Sequence, residues 1–271
     1  MVASYFGPQG HFHVSLLKGV KVQLRVIGAL VLRELHTRYG RSNIGYLWLI
    51  GEPLMLASVI SLLHMGSDAH SGGISPMAFT LSGYCLFCVF RGIFTRAEGA
   101  IEANQSLLHH HVVTIADIVV ARAVIDAVGA ALAFAILFSL VCVVGLAEPP
   151  ERPLHLIAGF LFMFWWSLAL AFIAVAVTYE KHTLGRMMHV LSYFSIPISG
   201  AFISLSLMPP VVRQYLMYFP MALIFEQARY GTFRTATDKW VSPGYVAFWC
   251  LVLTYIGLLL MRRLRRRVAV R

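Results

Sequence analysis

The stretch Leu32–Pro53, LRELHTRYGRSNIGYLWLIGEP, decides how the whole chain reads. It opens as a charged amphipathic helix, turns at Gly40, and enters an apolar segment whose interior carries Glu52 and Pro53. An acidic side chain inside a hydrocarbon slab costs about 2.5 to 3.5 kcal/mol on insertion scales, so Glu52 is expected to face protein or a water-filled path. The alternative is a position near the headgroups, with Pro53 only kinking the helix. About eleven residues separate Arg41 from Glu52, roughly 16 Å at 1.5 Å per residue, which favours depth in a slab about 30 Å thick.

Working outward, composition agrees with a bilayer. Of 271 residues 59% are hydrophobic and 13% charged, against about 25% charged in soluble domains. The net charge of +10 does not point to nucleic acid, because the basic residues flank apolar spans instead of lining one soluble face. Cys85, Cys88, Cys142 and Cys250 all lie in apolar runs and read as small packing residues, with no disulfide and no zinc site expected. The first dozen residues carry Gly, Pro and His where a signal peptide needs a continuous apolar core, so a cytosolic start is expected.

Residues 1–15 show no period. From Leu17, apolar Val20, Leu24, Ile27, Val31 and Leu35 recur at helical spacing with Lys18, Lys21, Arg25 and His36 on another face, which predicts an amphipathic helix in the cytosolic interface. The first span is expected over Ser42–Met65 and the second from Pro76, capped by Ser75, to Phe90. Thr95 and Glu98 have capping-box spacing and predict a short helix over Arg96–Leu108. The following His109-His110-His111 invites a metal reading, but three consecutive residues cannot all face one ion from one helix.

Thr114 and Asp117 form a second capping box opening the third span, where Arg122 and Asp126 are expected to pair at i,i+4. The fourth span is placed at Pro153–Tyr179, the fifth at Met187–Leu207 and the sixth from Pro243 to Arg262. Two amphipathic pieces between the last two, Val211–Phe219 and Met221–Thr232, are too short to cross and are expected as re-entrant or interfacial outer helices. Placed this way, 17 of the 22 Lys and Arg residues fall on one side, as the positive-inside rule requires of six spans with both ends in the cytosol. The expected fold is thus an all-α integral membrane protein: interface helix and tail in 1–41, six transmembrane helices in 42–262, and a basic cytosolic tail in 263–271.

No Gly-Lys dipeptide occurs, so the chain has no phosphate-binding loop, and ATP-driven transport would need a motor on another chain. The run R-E-L-x-T-R-Y-G-R-S-x-x-G-Y-L-W, followed by E-P, resembles the N-terminal signature of ABC-transporter permeases that export capsular polysaccharide and O-antigen glycans. The runs A-E-G-A-I-E-A-N-Q-S-L-L, I-S-G-A-F-I-S-L-S-L-M-P-P and F-P-M-A-L-I-F-E-Q-A-R-Y-G-T-F resemble later parts of the same family, and the likeness covers residues 25–262. The His-rich stretch 109–111 departs from it, where relatives often carry a turn with Pro.

The resemblance implies a transport subunit without catalysis or cofactor of its own, with ATP and Mg on two partner ATPase subunits. It implies a coupling loop over 95–113 with Glu98, Glu102, Asn104, Leu107 and Leu108, assisted by Arg33 and Glu34 of the interface helix. It also implies outer gate helices over 208–240 with Pro220, Glu226 and Arg229. Candidates for lining the path are Glu52, Pro53 and the aromatic series Tyr84, Phe87, Phe90 and Phe94; Tyr193, Phe194 and Phe202 are weaker ones. Aromatic residues at such spacing also make ordinary core. Arg38, Arg41 and Arg91 would stand at the cytosolic entrance, to meet an acidic sugar or phosphorylated lipid or simply headgroups. A homodimer with the path between subunits is expected, and periplasmic and outer-membrane export components are further candidate partners. Two rivals remain: the same architecture exporting a lipid or drug, and a membrane-embedded glycan acyltransferase. The second needs a His-Asp pair at H-x-x-x-x-D spacing, whereas His111 and Asp117 have five residues between them.

Overall fold

The computed structural model describes residues 16–39, 45–63, 74–108, 113–180 and 182–268, and every regular element among them is helical. Arg41 and His109–His111 lie outside the described residues, as do the side chains of Pro53 and Leu108. The elements are α1 (Leu16–Tyr39), α2 (Gly45–Leu63), α3 (Pro76–Thr95), α4 (Gln105–Leu108), α5 (Ile115–Val143), α6 (Pro153–Glu180), α7 (His182–Ser199), α8 (Pro210–Leu216), α9 (Pro220–Thr232) and α10 (Pro243–Val268). Pro opens α3, α6, α8, α9 and α10, where its missing N–H removes a donor that has no helical partner anyway. The Thr114 capping box forms: its hydroxyl accepts from the Asp117 amide, and the Asp117 carboxylate accepts from the Thr114 amide at 2.9 Å.

Helix α3 is the centre of the bundle, buried along most of its length and packed on α2, α5 and α6. Helix α1 lies along α5, where Leu30 meets Ile118 and Ala121, with Ile27, Val31, Leu107 and Val113 around them. Four helical segments among the described residues are long and apolar enough to cross a bilayer: Pro76–Thr95, Ile115–Val143, Pro153–Tyr179 and Asp238–Arg265. Helix α2 has only a shorter apolar stretch, Ile50–Ile60, and α7 carries Arg186 and His189 within its 18 residues.

Four expectations are corrected. No helix starts at Thr95, because α3 runs through it and its hydroxyl bonds back to the Arg91 carbonyl at 2.7 Å. The connection that follows is a set of turns broken at Gly99, whose φ of +67° belongs to the left-handed region, then a 3₁₀ turn over Glu102–Asn104 and the short α4. Arg122 does not pair with Asp126: its Nε lies 3.1 Å from Glu34 Oε1 on α1, while Asp126 turns to Arg38 and Arg96. Neighbouring helices thus outbid the local i,i+4 spacing. Helix α7 ends at Ser199, where Gly200 takes φ +72°, earlier than the expected Leu207. Finally, α9 is not amphipathic in its surroundings; Met221 through Arg229 are all buried. It packs on α6 so closely that a Cβ at Gly159 would lie 2.8 Å from Ala228 Cβ.

Candidate functional site

Where α2, α3, α5 and α7 converge, the bundle leaves a cavity of about 250 Å³. Glu52 and Leu56 enter from α2, Tyr84, Cys88 and Arg91 from α3, Asp126 and Ala130 from α5, and His189 from α7, with Arg96 also in the wall. Glu52, singled out from its depth in an apolar run, opens onto this polar space, and its side chain stays 55% exposed. Of the aromatic series on α3, only Tyr84 lines the cavity. Phe87 and Phe90 are 1% and 3% exposed and fill the core, and Phe94 stacks on Phe90 with ring centroids 5.3 Å apart. For Phe87 and Phe90 the expected lining role is therefore corrected: α3 is covered on nearly all sides, so most of an aromatic series along it must meet other helices.

Next to the cavity, four elements meet through charge. Asp126 Oδ1 accepts from Arg96 Nη1 at 2.7 Å and from Arg38 Nη1 at 3.1 Å, and its side chain is only 5% exposed. Arg38 Nε donates to Glu34 at 2.8 Å, the same carboxylate that faces Arg122 at 3.1 Å. Arg96 reaches on to Glu52 at 3.7 Å. Three guanidinium groups thus face three carboxylates, and the more deeply buried of them, Asp126, Glu34, Arg38 and Arg122, each have an opposite charge beside them to offset the cost of leaving water. Arg91 is held differently, donating to the Tyr193 hydroxyl at 2.6 Å with its guanidinium 4.7 Å from that ring's centroid.

The expected coupling residues stand beside this network. Asn104 is buried, accepts from Arg33 Nη1 at 3.1 Å and donates to the Ala100 carbonyl at 3.0 Å, fastening the connection to α1. Leu107 packs with the α1 and α5 side chains around Leu30, and Glu102 is exposed. Glu98 reaches α7, with its carboxylate 3.8 Å from His189 Nε2.

At the other end of α3, Glu226 and Arg229 form a buried pair at 2.9 Å. Glu226 also accepts from the Leu205 amide at 2.9 Å and the Ser204 hydroxyl at 3.1 Å. Arg229 donates to the carbonyls of Gly200 and Ala201 and lies 4.2 Å from the Phe79 ring centroid. Pro220 supplies the first turn of α9. The pair borders a smaller cavity of about 80 Å³ with Ser204, Thr235 and Thr237.

Sequence reasoning missed Asp126 as a hub, and it missed His189 and Gly185 altogether. The first had a usable signal, since Asp126 opens an uncharged run to Ala147 and the cost argument applied to Glu52 applies equally to it. His189 and Gly185 carried none, since their weight comes from contacts with residues about 90 positions away.

Three relatives match almost end to end. The capsule polysaccharide export inner-membrane protein CtrC of Neisseria meningitidis serogroup B is 32% identical over 256 residues, 94% of this chain and 96% of the relative. BexB of Haemophilus influenzae, likewise a capsule polysaccharide export inner-membrane protein, is 31% identical over 265 residues, 97% and 98% of the two chains. The polysialic acid transport protein KpsM of Escherichia coli is 30% identical over 247 residues, 90% of this chain and 95% of the relative. The model of the ABC-2 type transporter family covers residues 25–233, taking in the larger cavity, the charge network, the 96–108 connection and the Glu226–Arg229 pair, and the chain belongs to that family.

Proposed function

We propose that this chain is the permease subunit of an ATP-driven exporter that moves a lipid-linked capsular or O-antigen-type polysaccharide across the bacterial inner membrane. The observation that carries the reading is likeness over nine-tenths or more of the chain to relatives named for capsule polysaccharide export and polysialic acid transport. In this reading six helices span the membrane, α2 and α7 joining the four strongly apolar ones, with both termini in the cytosol. The basic ends and the 96–108 connection then face the cytosol, and α8 and α9 lie on the outer side as gate helices.

Two copies pair with the path between them, because one bundle offers a cavity of only about 250 Å³, room for little more than one sugar ring. Glu52, Tyr84 and Arg91 line that path at its inner mouth, with Arg38 behind them. A sliding polymer needs hydrogen-bonding groups and aromatic faces that do not hold it tightly. Two copies of a separate ATPase supply the energy and carry ATP and Mg. They dock on Glu98 and Glu102, whose connection is fastened to α1 through Arg33 and Asn104. Periplasmic and outer-membrane components would continue the route.

Capture of an ATPase by the purified chain, weakened by Glu98→Arg together with Glu102→Arg, tests the motor. Glu52→Ala should lower surface polysaccharide in cells while membrane abundance stays at the parent level. Undiminished export in that variant would remove Glu52 from the path, and a chain that exports a lipid or drug with no glycan would overturn the cargo.

A further inference from the structure

We infer that α7 is the connecting rod through which movement of the 96–108 connection reaches the cavity, with Gly185 and His189 as the positioning residues at its driven end. This rests on the permease reading above. Gly185, His189 and Tyr193 follow one another at four-residue spacing and so share one face of α7. At the first step the Glu98 side chain occupies the space a Cβ on Gly185 would need: such an atom would overlap the carboxylate and lie 2.9 Å from Glu98 Cγ. At the second, His189 meets the same carboxylate at 3.8 Å and also lines the cavity beside Glu52 and Arg91. At the third, Tyr193 holds Arg91 on the opposite cavity wall at 2.6 Å.

The far end of the same helix is anchored. The carbonyls of Gly200 and Ala201, just past its last turn, both accept from Arg229, itself fixed by Glu226. Pro197 lies between that anchor and the cavity and cannot donate to the Tyr193 carbonyl, so the helix has a joint there. Between the grips α7 is sparsely covered, with Met187, Val190, Leu191, Phe194 and Ile198 all exposed. A stiff helix gripped at one end and jointed near the other can slide or swing as a body, and small shifts of that kind are the usual shear motion of packed helices. Pushing Glu98 therefore displaces His189 and Tyr193 together and changes the width of the cavity against Glu52 and Arg91.

The test reads cavity access without needing the cargo. In the full chain with its ATPase in proteoliposomes, Cys85, Cys88, Cys142 and Cys250 are replaced by Ala, and Leu56→Cys places one thiol on the cavity wall. ATP should change the rate at which N-ethylmaleimide labels that thiol severalfold. Gly185→Leu, which expels Glu98 from its notch, and His189→Leu should each abolish the ATP-dependent change while ATP hydrolysis continues; Gly185→Ala serves if the larger residue lowers membrane abundance. An undiminished ATP response in these variants, with hydrolysis intact, overturns the rod and leaves the permease reading standing. Failure of the parent chain to capture any ATPase overturns that reading itself.

Discussion

Replacing Asp126 by Asn tests whether the charge network is a hub or a set of incidental contacts. The substitution keeps size and one acceptor oxygen but removes the charge that faces Arg96 at 2.7 Å and Arg38 at 3.1 Å. Hydrogen bonds to charged groups contribute about 1.5 to 3 kcal/mol each, and breaking a buried pair costs about 3 to 5 kcal/mol. Two features reduce the loss here: Arg38 keeps Glu34, and Arg96, 36% exposed, keeps Glu52. The expected destabilisation is therefore near the lower bound, about 3 kcal/mol, which corresponds to roughly 6 to 12 °C in the unfolding midpoint of a chain of this size.

Thermal unfolding of the purified protein in detergent, followed by loss of the monodisperse chromatographic peak, measures the shift. Thr114→Ala is the yardstick, because losing one helix cap costs about 1 kcal/mol. Adding Arg96→Gln to Asp126→Asn removes one of the two cations that lose the Asp126 charge, so the double variant should lose less than the two single losses added together. An Asp126→Asn shift no larger than that of Thr114→Ala, or strict additivity with Arg96→Gln, would refute the hub.

At the other end of the bundle, Arg229→Met should strand Glu226 and release the Gly200 and Ala201 carbonyls, so that limited proteolysis cuts faster between residues 200 and 208; adding Glu226→Leu should recover part of the protection, and unchanged cleavage in Arg229→Met would mean the pair does not hold that turn. Gly159→Leu should cost about 1 to 3 kcal/mol through overpacking, because its Cβ would lie 2.8 Å from Ala228 Cβ on α9. Gly244→Leu, with open space around its Cβ, should leave the midpoint unchanged, and equal shifts for the two would contradict the close α6–α9 contact.

Much of the fold was legible because its signals are local. Pro76, Pro153 and Pro243 mark helix starts by chemistry that needs no partner, and the Thr114–Asp117 box closes within one turn. Glu52 could be singled out for the same reason, since the cost of an acid in an apolar run depends on the run and not on the neighbour that relieves it, and it does open onto the cavity. What could not be read was the choice among competing partners. Arg122 has Asp126 one turn away and still turns to Glu34, 88 positions earlier, because α1 lies along α5 there.

The same competition explains the aromatic residues of α3. Spacing along a helix says which residues share a face, and Tyr84, Phe87, Phe90 and Phe94 do drift around one. It cannot say how many other helices cover that face, and α3 is packed by α2, α5 and α6 together. With so little uncovered surface, Phe87 and Phe90 go to the core, and only Tyr84 reaches the cavity, where α2 and α7 stand apart. A residue's part in the site is set by the gap between two elements far apart in sequence. That is why two side chains that meet at that gap, His189 and Asp126, come from helices whose own periodicity gives no sign of it.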